Sequence, residues 1–282
     1  MPELPEVETV CRGLAAVLEG HRLESVTLRR ANLRQPFPDG FVAAVQGRRV
    51  ERIWRRAKYY QWLLDDGQVI LGHLGMSGTF EVSPPGSNLA PPGKHDHVVI
   101  LTDHGAMVTY RDPRRFGLMT LTTLDELPRH PLVRDLGPEP LGEDFDALVL
   151  QRALAGRRSP VKPVLMDASV VVGVGNIYAS ESLFRAGIDP RRPALSLSFA
   201  DCQTLVDAIR TVLAEALASG GSSLRDHRLV NGELGYFQHH FAVYDRAGNP
   251  CPGCICDLAE TGGVQRIVQT GRSTFYCGQR QR

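Results

Sequence analysis

The chain begins Met1-Pro2-Glu3-Leu4-Pro5-Glu6. Met1 precedes a small residue, so its removal is expected, and removal would expose the secondary amine of Pro2. An α-amino group titrates near ~8, against roughly 10.4 for a lysine side chain. A useful fraction is then an unprotonated nucleophile at neutral pH. Such an amine attacking a sugar C1′ forms an iminium, a covalent intermediate that divides one hard step into two. Glu3 adjoins it and can shuttle protons. The same residues also make an ordinary helix start, where proline is tolerated and acids suit the N-terminal dipole. Cysteine offers a second chemistry. Cys251, Cys254, Cys256 and Cys277 cluster near the C-terminus. In a chain expected to be cytosolic they read as metal ligands rather than disulfides. Cys11 and Cys202 stand alone in apolar, helix-like stretches and read as core packing.

These groups need elements to hold them. Leu4, Val7, Val10, Leu14, Val17 and Leu18 form one apolar face, which predicts a helix over residues 3 to 19. Residues 50 to 64 are rich in β-branched and aromatic side chains, and Asp66-Gly67 predicts a hairpin turn into Val69-Ile70-Leu71. A second hairpin is expected from His97 to Tyr110 around a turn at His104-Gly105. Residues 123 to 150 carry seven acidic and two basic residues with several prolines, which reads as a linker. From about 145 to 219 the pattern is helical, with a strong amphipathic stretch from 199 to 217 that Gly220-Gly221 stops. The expected fold is α+β in two domains: an N-terminal antiparallel β-sandwich with an N-terminal helix, then a helical domain with a cysteine-bearing tail. The boundaries expected are 1–122, a linker at 123–144, 145–240 and 241–282.

The chain of 282 residues is long enough for two such domains, and its composition is not that of a disordered, collagenous or disulfide-dense protein. The N-terminus lacks the basic and apolar regions of a signal peptide, and no apolar run approaches a membrane span. A cytoplasmic protein with no membrane partner is expected. Lys plus Arg is 32 against 31 Asp plus Glu, a formal net charge of +1. The total argues against nucleic acid; the distribution argues for it. Arg48, Arg49, Arg52, Arg55, Arg56 and Lys58 form one cluster, Arg111, Arg114 and Arg115 a second, and Arg157, Arg158 and Lys162 a third. Arg266, Arg272, Arg280 and Arg282 form a fourth. Each alone reads as a solvated face; together they predict a basic face that binds phosphates by counterion release. Only Lys58, Lys94 and Lys162 are lysines, in a chain whose default cation is arginine.

The motifs taken in order are similar to those of the bacterial formamidopyrimidine-DNA glycosylase family over nearly the whole chain. They are MPELPEVETV at 1–10, Arg56-Ala57-Lys58-Tyr59, His73-Leu74-Gly75-Met76-Ser77-Gly78 and Lys94-His95-Asp96-His97. Asp112-Pro113-Arg114-Arg115-Phe116-Gly117, then Gly173-Val174-Gly175-Asn176-Ile177-Tyr178 with Glu181, follow. Gly220-Gly221-Ser222-Ser223-Leu224-Arg225-Asp226 and Gly271-Arg272-Ser273-Thr274-Phe275-Tyr276-Cys277 complete the series. Each is weak alone; eight in family order are specific.

The resemblance implies a bifunctional glycosylase and AP lyase that excises oxidised purines such as 8-oxoguanine from duplex DNA, and acts as a monomer. It implies Pro2 as nucleophile, Glu3 as acid/base, Lys58 for β-elimination, and Arg272 for δ-elimination and phosphate contact. A flipped base leaves a hole to be filled, and the resemblance gives that task to Met76, Arg114 and Phe116. His95, Arg157, Lys162 and Asn176 are implied phosphate binders, the last at a helix–two-turn–helix turn. Residues 222 to 236 match the loop that closes over the base. The family ends in a four-cysteine β-hairpin zinc finger, in which thiolates replace a core too small to build. Here Cys251-Pro252-Gly253-Cys254 is a proper first knuckle, but Cys277-Gly278-Gln279-Arg280 has arginine at the fourth position. Zinc on Cys251, Cys254 and Cys277 is expected, with Cys256 as the fourth thiolate and His239, His240 or water as other donors. Two other readings stand beside this one. They are an endonuclease VIII-like glycosylase for oxidised pyrimidines and a non-catalytic lesion-binding zinc-finger protein.

Overall fold

The computed structural model describes residues 1–88, 91–222, 230, 235–253 and 257–282. The chain divides into two compact units, Met1–Asp135 with Ser219–Tyr236, and Leu136–Ala218 with Phe237–Arg282. The segment 219–236, expected in the helical part, clusters with the first unit.

The first unit opens with helix α1, Leu4–Leu18, whose buried face is Leu4, Val7, Val10, Cys11, Leu14 and Leu18. This is the 3.6-residue stripe read from the sequence. Eight strands follow: β1 Leu23–Leu28, β2 Val50–Arg56, β3 Tyr59–Leu64, β4 Gln68–His73, β5 Thr79–Ser83, β6 Asp96–Thr102, β7 Met107–Arg111 and β8 Leu118–Thr123, with a short helix α2, Phe41–Val45, after β1. They form two antiparallel four-stranded sheets, ordered β2-β3-β4-β8 and β1-β6-β7-β5. Tyr60, Trp62, Phe80 and Tyr110 pack edge-on or tilted in the core, with centroids 5.0 to 6.0 Å apart.

One difference from the sequence reading matters for function. Residues 50 to 64 are two strands, with Arg56 paired to Tyr59 across a two-residue turn. Ala57 takes a left-handed φ of 55° there. No Gly or Asn announces the turn, although such turns usually demand one. Lys58 therefore sits at a hairpin tip.

The second unit carries α3 Ala147–Leu154, α4 Val161–Leu165, α5 Asn176–Ala186 and α6 Phe199–Ala218, then a short α7, Leu258–Thr261, and the hairpin β9 Gln265–Gln269 with β10 Arg272–Tyr276. Asp146 caps α3 by accepting the Val149 N–H at 2.8 Å. Gly187 ends α5 in the left-handed conformation. The β9–β10 turn, Thr270-Gly271, has φ of 47° and 74°, as a two-residue hairpin with both central residues left-handed requires. No helix among the described residues is long and apolar enough to cross a membrane.

Candidate functional site

In the first unit the N-terminus is fixed by Glu6. Its carboxylate accepts the Glu3 N–H at 2.8 Å, and the N–H and hydroxyl of Ser222 at 2.8 and 2.9 Å. Glu3 and Glu6 are the two ends of a capping box at the start of α1. Pro2 and Glu3 are both buried. Glu6 thus joins the start of the chain to the start of the 222–236 segment. Sequence reading passed over it, although the Glu3-x-x-Glu6 spacing carried the signal.

His73, at the end of β4, reports the electrostatics around the N-terminus. Its ring is pushed down to about 4, first by burial and then by the charges of Lys58, Arg34 and the chain's amino terminus. Its Nδ1 accepts the Gly75 N–H at 2.8 Å, which requires the neutral ring with the proton on Nε2. The positive charges of Lys58, Arg34 and the amino terminus all act on this neutral histidine. Arg55 folds back from β2 to Glu8 at 3.0 Å and to the Ala57 carbonyl at 3.0 Å, bracing the turn that carries Lys58.

Met76 and Phe116 are exposed, at 42% and 45%, on loops whose nearby Leu74 and Leu118 are buried. Their loops are held together by Asp112, which is fully buried. Its Oδ1 accepts the Ser77 hydroxyl at 2.6 Å and its Oδ2 the Gly117 N–H at 2.8 Å. Ser77 Oγ in turn accepts the Arg114 N–H at 3.1 Å. The Arg114 guanidinium lies 4.8 Å from the centroid of the Phe116 ring, a cation–π pair. Gly75 has φ +66°, and a Cβ there would sit 2.3 Å from the Phe116 carbonyl carbon. Only glycine permits that approach. His95 is half-buried beside this brace, its carbonyl accepting the Asp112 N–H at 3.0 Å.

In the second unit the structure corrects one expectation. Lys162 does not reach outward to phosphate: it is 1% exposed. Its Nζ donates to Asn176 Oδ1 at 2.5 Å, Thr274 Oγ1 at 2.8 Å and the Ser273 carbonyl at 3.2 Å. The short helix α4 directs it inward, where these acceptors substitute for water. Asn176 is half-buried at the first turn of α5 and also donates to the Ser273 carbonyl at 3.0 Å. Arg157 is partly committed as well, with Nη1 2.8 Å from Asp167 Oδ2. Burial raises the Asp167 carboxyl, but hydrogen bonds from Arg157 and Ser169 outweigh it and hold it below its ordinary range. Arg272 is exposed, immediately after the β9–β10 turn.

Glu181, on α5, is buried and accepts the N–H groups of Ala242, Val243 and Tyr244 at 2.9, 3.0 and 2.8 Å. Burial lifts its carboxyl above the usual range, against those donors. It anchors the chain where it enters the cysteine-bearing tail. Cys251 and Cys277 are buried there, and their thiols are hydrogen-bonded neighbours. Burial, then the bond to Cys277, pushes the Cys251 thiol up to about 11. Arg280 donates to the Pro252 carbonyl at 3.2 Å, with its guanidinium 4.6 Å from the Phe184 ring centroid. Cys254, Cys256 and most of the 222–236 loop lie outside the described residues.

Residues 1–119 match the family model described as the formamidopyrimidine-DNA glycosylase N-terminal domain, and residues 136–228 match the formamidopyrimidine-DNA glycosylase H2TH domain. The chain is 58% identical over its full length, and the relative's full length, to a formamidopyrimidine-DNA glycosylase of Rhodospirillum rubrum. It is 54% identical to that of Azorhizobium caulinodans, with both chains again covered in full. Among solved structures it is similar to MutM (Fpg) of Thermus thermophilus, at TM-score 0.86 and 38% identity over 99% of this chain and 98% of that one. It is also similar to Lactococcus lactis Fpg in complex with DNA containing an abasic site, at TM-score 0.89 and 30% identity over 99% of each chain. With both of its units matched and its whole length aligned, the chain belongs to the formamidopyrimidine-DNA glycosylase family.

Proposed function

We propose that this protein is a bifunctional DNA glycosylase and AP lyase that removes oxidised purines, 8-oxoguanine and formamidopyrimidines, from duplex DNA. The observation that carries the reading is the N-terminus, where Pro2 and Glu3 are buried and Glu3 is held by the Glu6 carboxylate, in a chain 58% identical over its full length to a formamidopyrimidine-DNA glycosylase. The Lactococcus lactis relatives solved with abasic-site DNA and with Fapy-dG-containing DNA support damaged DNA as the partner.

With Met1 removed, the Pro2 nitrogen attacks C1′ of the damaged nucleoside. The N-glycosidic bond breaks and its electron pair leaves with the base, which takes up a proton. Glu3 donates a proton to the sugar ring oxygen, so the C1′–O4′ bond opens and the nitrogen's electron pair forms the iminium. The resulting iminium acidifies C2′; loss of that proton expels the 3′-phosphate, the β-elimination we assign to Lys58. Arg272 assists departure of the 5′-phosphate in δ-elimination and binds backbone. Water then hydrolyses the remaining imine and restores the amine. Met76 and Phe116 fill the space left by the flipped base, and Arg114 faces the orphaned partner. His95, Arg157 and Asn176 receive phosphates, with Arg157 exchanging Asp167 for DNA.

The paired, buried thiols of Cys251 and Cys277 suit two corners of a structural zinc site. We assign the other two to Cys254 and Cys256, with Arg280 outside the ligand set. Zinc supplies structure there, since tetrahedral thiolates hold a tail that has little core. Metal analysis of the purified chain should find at least one zinc; a trace amount would remove this assignment.

Borohydride trapping tests the enzymatic reading. A covalent complex is expected with an 8-oxoguanine duplex, and blocking the N-terminus should abolish it. Trapping confined to oxidised-pyrimidine duplexes would favour the endonuclease VIII-like reading. Binding with no trapping on any substrate would favour a lesion-binding protein. Full activity with Met1 retained would refute the Pro2 mechanism.

A further inference from the structure

At the opposite end of β6 from the Asp112 brace, the pairing of β1 with β6 brings two histidines together. Leu23 lies opposite Thr102. Continuing that antiparallel register places Arg22 opposite Asp103 and His21 opposite His104. The Asp103 N–H duly donates to the Arg22 carbonyl at 3.0 Å. His21 Nδ1 lies 3.0 Å from Asp103 Oδ1, and His104 Nδ1 lies 3.7 Å from the same oxygen. The imidazole centroids are 3.7 Å apart. One ligand atom from each residue lies within 4.8 Å of the other two, the only such group of three among the described residues.

We propose that His21, Asp103 and His104 form a surface site for a borderline divalent transition metal such as Zn²⁺, Co²⁺ or Ni²⁺. Ligands at about 2.0–2.2 Å in a tetrahedron stand about 3.3–3.5 Å from one another. The observed 3.0 and 3.7 Å straddle that spacing, and the two imidazole ligand atoms lie within 4.8 Å of each other. His104 Nδ1 is a buried nitrogen with no hydrogen-bond partner, and it faces the carboxylate. A cation between the three donors satisfies it. The arginine next in the chain does not compete, since Arg22 Nη1 donates to the Gly47 carbonyl at 2.9 Å and lies 3.5 Å from Asp65. Two imidazoles and one carboxylate select imidazole-seeking metals over Mg²⁺ and Ca²⁺, which prefer all-oxygen sites. Asp103 and His21 are partly exposed, which leaves the remaining coordination positions to water.

The backbone holds these donors. Gly20 and Gly105 take φ of 83° and 88°, turning the chain tightly beside His21 and His104. The strand rise of about 3.3 Å per residue puts this cluster more than about 20 Å from the Asp112 brace. A metal here would tie the start of β1 to the β6–β7 turn without entering the proposed chemistry.

Co²⁺ titration of the full-length protein, loaded beforehand with zinc and dialysed, tests this. The expected result is one Co²⁺ with visible d–d bands, no sulfur charge-transfer absorption, and paramagnetic broadening of two imidazoles in histidine NMR spectra. Added metal should raise Tm by mass action. His21→Ala and His104→Asn should each weaken uptake by at least about tenfold, and leave incision of damaged DNA unchanged. Equal uptake by the wild type and both variants, sulfur ligation, or no binding below about 1 mM would each overturn the site.

Discussion

His73 shows what a single residue does in this molecule. It is a histidine that must stay neutral, because its Nδ1 accepts a backbone N–H while burial and the charges of Lys58 and Arg34 hold the ring at about 4. In the unfolded chain the ring titrates near ~6.5. Between those two values the unfolded state binds the extra proton and the native state does not. Stability from this group is therefore present above about 6.5 and is lost as pH falls toward about 4. His73→Gln should flatten the stability–pH curve in that window by up to about 1.4 kcal/mol per pH unit, read by urea unfolding. An unchanged curve would show that the ring is not held neutral. The roles proposed for Pro2, Glu3 and Lys58 come from the family motifs, since residue type alone left Pro2 and Glu3 equally an ordinary helix start. Their holders were less legible. Asp112 and Glu181 appeared only as letters in motifs, since a carboxylate reads alike whether it faces water or three backbone N–H groups. Lys162 misled for the same reason.

At the scale of elements, Lys162 joins α4, α5 and β10 through Asn176, Ser273 and Thr274. It is a strut beneath Arg272 rather than a hand on the DNA. Lys162→Met should cost about 2–3 kcal/mol, because buried acceptors lose their donor. It should weaken DNA binding while leaving the salt dependence of that binding unaltered. A salt slope shallower by about one would instead mark Lys162 as a phosphate contact. The elements themselves were unevenly legible. Helix α1 and the amphipathic α6 followed their apolar spacing to within about a residue. The β2–β3 turn did not, because Ala57 carries no turn signature and is held left-handed by the flanking pairing and by Arg55.

For the whole molecule, the net charge of +1 conceals a basic surface that is partly neutralised in place. Arg48 lies 3.1 Å from Asp66, Arg55 3.0 Å from Glu8 and Arg111 2.6 Å from Asp96. The clusters read from the sequence are thus not uniformly available to phosphate, and the true footprint is smaller than the arginine count. Log affinity for duplex DNA should fall linearly with log salt, with a slope of about −0.9 per phosphate neutralised. Arg272→Ala should make the slope shallower by about one, and Arg48→Ala should leave it unchanged. A salt-independent affinity would remove the basic-face reading altogether.

The bond between Glu6 and Ser222 has a consequence for how the protein is made. The first unit is discontinuous: it closes on residues 219 to 236, which follow the four longer helices of the second unit. On the ribosome the β-sheets can pair early, yet the carboxylate that sets the N-terminus waits for a partner more than two hundred residues downstream. The helical unit emerges in the meantime. Assembly of the surroundings of Pro2 is therefore a late event in synthesis. A chain stopped at residue 135 would hold Pro2, Glu3 and Lys58 without the segment that completes their unit.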